Sequence, residues 1–213
     1  MLATDFSPNR LEAAKESALE FINQLPSQTK VGIISFSGAS YIKQRPSNDQ
    51  NLAKDAVRSI ETELIAGTGI GEVIITATNV LLAEKPSNSI ILITDGQNNI
   101  GASIAESIEY AKNHQITVNT IGIGTKEGGT FTNFNESVIS KVNFEDLQLI
   151  AKETNGKSYL ANNELDIKNA YNEIINLKEG SKKIDLANYL LLLSLFILII
   201  EIILMNTRYR TIP

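Results

Sequence analysis

The sequence predicts an α/β chain: a doubly wound, mostly parallel sheet with helices on both faces, followed by one C-terminal transmembrane helix. Three observations predict it. Short apolar runs, KVGIISF at 30–36, IILIT at 90–94 and ITVNTIGI at 116–123, read as strands buried on both faces. Stretches of helical period lie between them, the alternation of a βαβ chain. The run Tyr189–Met205, YLLLLSLFILIIEIILM, is apolar almost throughout.

Taken in order, residues 8–25 read as a helix. Leu11, Ala14, Ala18, Phe21, Ile22 and Leu25 form its apolar stripe, with Ser7 as N-cap and Pro8 in the first helical position. Strand 30–36 follows, then an antiparallel edge strand over 40–45 that Pro46 ends. Residues 48–64 are helical. Gly67 to Gly71 form a glycine-rich loop that leads into a helix over 70–84. Strand 90–94, helix 102–113 and strand 116–123 come next. A polar, Gly- and Asn-rich loop is expected over 125–142. Helix 144–154 stops at Gly156, a short strand covers 157–161, and a last helix runs over 163–178. The domain is therefore expected to occupy residues 1–178, with a polar linker at 179–185, a membrane helix at 186–205 and a short basic tail at 206–213.

Composition narrows the chemistry. A net charge of −5 over 213 residues provides no basic face for nucleic acid. With no cysteine, disulfides, zinc-thiolate sites and thiol nucleophiles are excluded. The one histidine, His114, falls between a helical stretch and the next strand and reads as a solvated loop residue. Triads and imidazole-based metal centres therefore have no candidate members.

Leu186–Met205 spans 20 residues, about 30 Å of helix, the thickness of a bilayer core. Thirteen Leu, Ile and Phe residues between Leu190 and Leu204, at roughly 0.5 kcal/mol each, favour insertion by about 6 kcal/mol. Glu201 opposes this, though near one end of the span. Lys178, Lys182 and Lys183 precede the run and Arg208 and Arg210 follow it, so charge leaves the orientation nearly balanced.

Asp95 is the most informative single residue. It ends the apolar run IILIT at an Asp-Gly turn, and open α/β sheets place ligands beyond the carboxyl ends of their strands. An Asp that caps the following helix is the competing reading. The glycine loop AGTGIGEV looks like a dinucleotide fingerprint but fails it. Its third glycine falls at 71 and no strand leads into it. The loop does offer the hydroxyl of Thr68. A hydroxyl and a carboxylate are hard oxygen ligands suited to Mg²⁺ or Mn²⁺. Asp5 reads as a helix-start acid or an additional acid near the site. Asn98 and Asn99 read as turn-forming amides or as residues facing a ligand. Asn135-Glu136-Ser137 is a formal glycosylation triplet that chance accounts for.

Thr68 in the GTGIG loop, followed by ITDG, resembles the von Willebrand factor type A domain. That family carries a metal-ion-dependent adhesion site built from an Asp-x-Ser-x-Ser motif, a Thr in a glycine-containing loop and an Asp after the fourth strand. Thr68 matches the second element and Asp95 the third. The segments TVNTIGIGT and FEDLQLIAKETNGKSY, the last helix and the closing span are similar to the Bat-type aerotolerance proteins, bacterial membrane proteins with a periplasmic type A domain. The resemblance implies a non-enzymatic, membrane-anchored module in the bacterial inner membrane that binds a protein partner through a divalent ion. Related type A domain proteins and a MoxR-type ATPase system are the implied neighbours, and lipid is met only through the one helix. A metal-free structural scaffold and a nucleotide-binding or hydrolytic enzyme are the alternative readings.

The match to the family is incomplete. MLATDFSPNRLEAA at 1–14 looks like the segment directly after the Asp-x-Ser-x-Ser motif, with Met1 where the residue after its last Ser would stand. The motif and the first, central strand are not in the sequence. A late start is the expected cause, with a degenerate relative as the alternative. Metal binding is therefore expected to be weak or lost in the chain as it stands. The strands flanking the gap, KVGIISF and IILIT, are expected to expose unpaired edges.

Overall fold

The computed structural model describes residues 1–61, 67–83, 89–96, 98–125, 129–133, 136–140, 143–180 and 186–206. They form two compact units, Met1–Asn176 and Leu177–Pro213. The first unit holds helices α1 (Arg10–Gln24), α2 (Gln50–Arg58), α3 (Ile70–Leu82), α4 (Ile104–Asn113) and α5 (Phe144–Glu153), with most of α6 (Glu164–Gly180). Its strands are β1 (Val31–Phe36), β2 (Ser40–Ser47), β3 (Ser89–Thr94), β4 (Thr117–Ile123), β5 (Gly129–Asn133), β6 (Glu136–Ser140) and β7 (Ser158–Ala161).

The parallel sheet has the order β3-β4-β7. Its middle strand, β4, is buried from Val118 to Ile123, as its apolar run requires. On one face Ile121 and Ile123 pack with Phe6, Ala13 and Ala14 ahead of and within α1, and with Ile167, Ala170 and Ile174 of α6. Phe21 of α1 and Tyr171 of α6 close that layer, with ring centroids 4.4 Å apart. On the other face Leu92 and Val118 meet α3, α4 and α5 through Ile74, Ile108, Leu147 and Ile150.

β1 and β2 form a separate antiparallel pair. Yet β1 has the same two surroundings as β3. Its Ile34 and Phe36 join the cluster of α3 and Leu92, and its Val31 and Ile33 pack beside α1 and α2. The two sheets therefore belong to one layer between the same helices, with no hydrogen-bonded ladder joining β1 to β3. Burial follows: β1 and β3 are mostly half-buried, whereas β4 is sealed.

Several elements differ from their sequence readings. α1 begins at Arg10, two residues later than expected, because Asn9 is the cap: its side chain accepts the Glu12 N–H. Pro46 lies inside β2 rather than ending it. Between Gln44 and Ser47 the ladder gains an extra residue against β1, and an edge strand tolerates a proline at such a bulge. The segment read as one polar loop holds the antiparallel hairpin β5–β6. The helix expected over 48–64 is shorter, Gln50–Arg58, and ends at the cap Ser59, whose N–H bonds to the Asp55 carbonyl. Residues 62–64, Asn135 of the glycosylation triplet, residues 181–185 and residues 207–213 lie outside the described residues.

The second unit contains α7 (Leu186–Asn206), 21 residues long. Its Leu, Ile and Phe side chains from Leu190 to Ile203 are exposed. Over the described residues, no helix is long and apolar enough to cross a membrane.

Ile121 is fully buried where β4, α1 and α6 meet. Ile121→Ala is expected to destabilise the chain by about 2–5 kcal/mol, read as a lower urea midpoint with an unchanged slope.

Candidate functional site

The carboxyl ends of β3 and β4 gather the polar residues. β3 delivers Asp95 just past Thr94, and the Thr94 hydroxyl accepts the Gly96 N–H to hold the turn. Thr68 lies between Gly67 and the α3 cap Gly69, in a loop anchored from two sides. Gly69 N–H bonds to the Ser37 carbonyl beyond β1, and Asn99 N–H bonds to the Thr68 carbonyl. In return, Asn99 Oδ1 accepts the Thr68 N–H at 2.8 Å. Asn98 Oδ1 accepts the Gly71 N–H at 3.1 Å and its amide donates to the Ala102 carbonyl. The two asparagines are therefore turn-tying amides that fix the Thr68 loop against the Asp95 turn.

Two glycines make this approach possible. A Cβ on Gly71 would lie 2.2 Å from the Ala102 carbonyl oxygen, so α3 reaches that backbone only without a side chain there. A Cβ on Gly96 would lie 3.0 Å from Thr68 Oγ1. The Thr68 hydroxyl thus lies against Gly96, the residue that follows Asp95, and the two loops meet there. Thr68 is half-buried, and Asp95 is 9% exposed.

A third group, unnoticed in the sequence, meets them. The Arg10 side chain is fully buried at the start of α1. Its Nε and Nη2 donate to the two Asp5 oxygens at 2.7 Å each, a forked pair. Its Nη1 donates to Asp95 Oδ2 at 3.2 Å. The Met1 ammonium meets the same Asp95 oxygen. Asp5 also accepts the Thr125 N–H at 3.3 Å and the Thr125 hydroxyl at 3.4 Å, from the loop after β4. Asp5 is therefore a member of the site cluster, not a helix-start acid. A signal for Arg10 was present: one turn before Ala14, it falls on the buried stripe of α1, where a charge demands partners.

Burial works against the charge of Asp5, but the Arg10 hydrogen bond, the Thr125 N–H and the Arg10 charge outweigh it. The Asp5 carboxyl is held below the ordinary carboxylate value. Burial likewise opposes the Arg10 charge, and Asp5 followed by Asp95 more than offsets it, raising its pKa. His114 lies away from this edge, at the end of α4, with Nδ1 2.8 Å from the Tyr110 carbonyl oxygen.

As donors for a divalent ion these residues are too few. Thr68 and Asp95 provide one hydroxyl and one carboxylate, and both that carboxylate and the neighbouring one, Asp5, are already engaged by the buried guanidinium. Mg²⁺ requires near-octahedral oxygen coordination. Among the described residues no group of three or more His, Cys, Asp or Glu side chains could hold a metal ion. The described residues at this edge do not by themselves complete the oxygen set a divalent ion requires.

Residues 1–97 match the family model of the von Willebrand factor type A domain. The chain belongs to that family, and its homologues include Bat-type aerotolerance-related membrane proteins and proteins of the UPF0353 group. An aerotolerance-related membrane protein from Bacteroides fragilis is 30% identical, with a TM-score of 0.73 over 83% of this chain and 92% of that one. BatB from Bacteroides thetaiotaomicron is also 30% identical, with a TM-score of 0.72 over 84% of this chain and 93% of that one. A UPF0353 protein from Mycolicibacterium paratuberculosis is 30% identical over 190 residues, which cover 83% of this chain and 57% of that protein. The chain thus spans little more than half the length of the curated relatives it matches.

A depressed folded-state pKa means that Asp5 contributes stability above its unfolded value. That contribution is lost as pH falls through the folded value. Stability is expected to decline below about pH 4. Asp5→Asn should be less stable at neutral pH and show a shallower acid limb, measured as urea midpoints across that range.

Proposed function

We propose that the chain is a membrane-anchored, non-enzymatic interaction module that takes a protein partner at the edge formed by Thr68 and Asp95. The observation that carries this reading is the Thr68 hydroxyl. It lies against Gly96, the residue after Asp95, at the carboxyl edge of the sheet, on a loop whose backbone Asn99 holds. A half-buried hydroxyl on a braced loop is positioned to meet a ligand. Membership of the type A family supports interaction rather than catalysis. The cluster also provides no nucleophile–base pair.

Mg²⁺ or Mn²⁺ is the ion that Thr68 and Asp95 would take, weakly or not at all in the chain as it stands. An Asp-x-Ser-x-Ser segment ahead of Met1 would add oxygen donors to the same edge, and its presence in the upstream reading frame is the simplest check. The contact of Asp95 with Arg10 favours a second reading, a metal-free scaffold in a membrane complex. Partners are other membrane or periplasmic proteins, related type A domain proteins and a MoxR-type ATPase system among them.

The anchor is the helix of residues 186–205, with residues 1–178 as the type A domain, 179–185 as linker and 206–213 as basic tail. The exposed apolar side chains of α7 and the membrane-protein relatives support it. Insertion in the bacterial inner membrane would place the domain outside the cytoplasm and Arg208 and Arg210 inside.

Thr68→Ala is expected to leave the melting temperature unchanged and to weaken partner binding. A photoreactive residue at Thr68, in intact membranes, should crosslink to a discrete protein. The same probe at Lys112, at the opposite end of α4, should not. Equal labelling from both positions would contradict the assignment of the edge.

Protease added to intact spheroplasts should digest the domain, while carbonate washing should leave the chain in the membrane pellet. Protection of the domain would reverse the orientation, and release by carbonate would remove the anchor.

A further inference from the structure

Arg10 lies between two carboxylates that reach it from distant parts of the chain. Asp5 takes Nε and Nη2, Asp95 takes Nη1, and the guanidinium is sealed from solvent. Two acids converging on one cation is the arrangement in which carboxylates share a divalent ion. Here the cation is a side chain. A guanidinium keeps its charge at any accessible pH, and its planar fork matches a carboxylate.

We propose that Arg10 is the cation shared by the Asp5–Asp95 pair, compensating both carboxylates together with the Met1 ammonium on Asp95 and keeping divalent ions from the Thr68–Asp95 edge. The inference rests on the edge reading above only for its consequence, that a partner is captured there without metal. The geometry argues for it in two ways. An ion arriving at Asp95 would meet a fixed positive charge already bonded to the same carboxylate, and charges at that separation inside a protein repel strongly. Removing the guanidinium would leave Asp5 and Asp95 around the vacated position, with the Thr125 hydroxyl on Asp5 and the Met1 ammonium on Asp95. The two carboxylates and the hydroxyl are hard oxygen donors with two negative charges.

The test is the full chain in detergent, melted in chelator and in millimolar Mn²⁺, with Mn²⁺ binding followed by electron paramagnetic resonance. Wild type should melt at the same temperature in both and bind Mn²⁺ negligibly. Arg10→Gln should melt lower in chelator and recover in Mn²⁺, because an ion that binds only the folded state stabilises it. Its Mn²⁺ affinity should exceed that of wild type by about tenfold or more, as expected when a repelling charge is removed. Arg10→Lys keeps the charge and should remain indifferent to Mn²⁺, which separates charge from packing. The double variant Asp5→Asn/Arg10→Gln loses one carboxylate and should lose the gain.

A wild-type Mn²⁺ site that Asp95→Asn abolishes would overturn the proposal. So would an Arg10→Gln chain that folds and ignores Mn²⁺, or one that stays unfolded in chelator and Mn²⁺ alike. Folding of that variant only in Mn²⁺ would support it. None of these outcomes alters what a probe at Thr68 crosslinks, so the edge reading and the shared cation fail separately.

Discussion

The buried guanidinium of Arg10 is the constraint on which the upper edge of this domain depends. A charge withdrawn from water is tolerated only with partners, and removing one partner of a buried pair costs about 3–5 kcal/mol. Arg10 finds its partners on segments that are far apart in sequence. Asp5 precedes α1, Asp95 follows β3, and Thr125 after β4 is drawn in through Asp5. The guanidinium thereby determines where α1 begins relative to the sheet and how the Asp95 turn is held. Thr68 is placed indirectly, through the asparagines that tie its loop to that turn.

Beneath this edge the layer of strands is interrupted. β1 and β3 share α3 on one face and α1 on the other, yet each is bonded to one neighbour, β2 or β4. The helices, not a continuous ladder, hold the two pieces together: α3 packs against residues of both, and α1 backs both from the other side. Strand edges that face each other without pairing leave backbone groups without ladder partners, a condition that favours association with other strands. The polar cluster of Asp5, Arg10 and Asp95 sits at the carboxyl ends of β3 and β4, which the parallel ladder already joins, and ties them to the start of α1.

Much of the architecture was legible in the sequence, for physical reasons that differ by element. β1 and β3 are mostly apolar runs between covering helices, a pattern that is hard to mistake, and β4 keeps Val118, Ile121 and Ile123 buried while its Asn119 and Thr120 are satisfied by hydrogen bonds. Asp95 and Thr68 were legible as well, because Asp-Gly at a strand end and a hydroxyl within a glycine loop constrain the backbone locally. The hairpin β5–β6 was not: GTFTN and ESVIS carry few apolar residues, and polar composition reads as loop. The start of α1 was misplaced because Ser7-Pro8 imitates a cap that Asn9 provides. Arg10 was overlooked because its meaning is entirely tertiary. Its neighbours in sequence, Asn9 and Leu11, say nothing of Asp95, and only its place on a buried stripe hints that partners exist. Asp5 was left between two readings for the same reason, and its contact with Arg10 selects the acid near the site.

The central claim is that a side chain, rather than a divalent ion, compensates the charge at the Thr68–Asp95 edge. Crystals of the full chain grown with Mn²⁺ and measured at the manganese absorption edge test it most directly. The account predicts no anomalous density between Thr68 and Asp95, with Arg10 seated on both Asp5 and Asp95. A manganese peak there, with the guanidinium turned away, would contradict it.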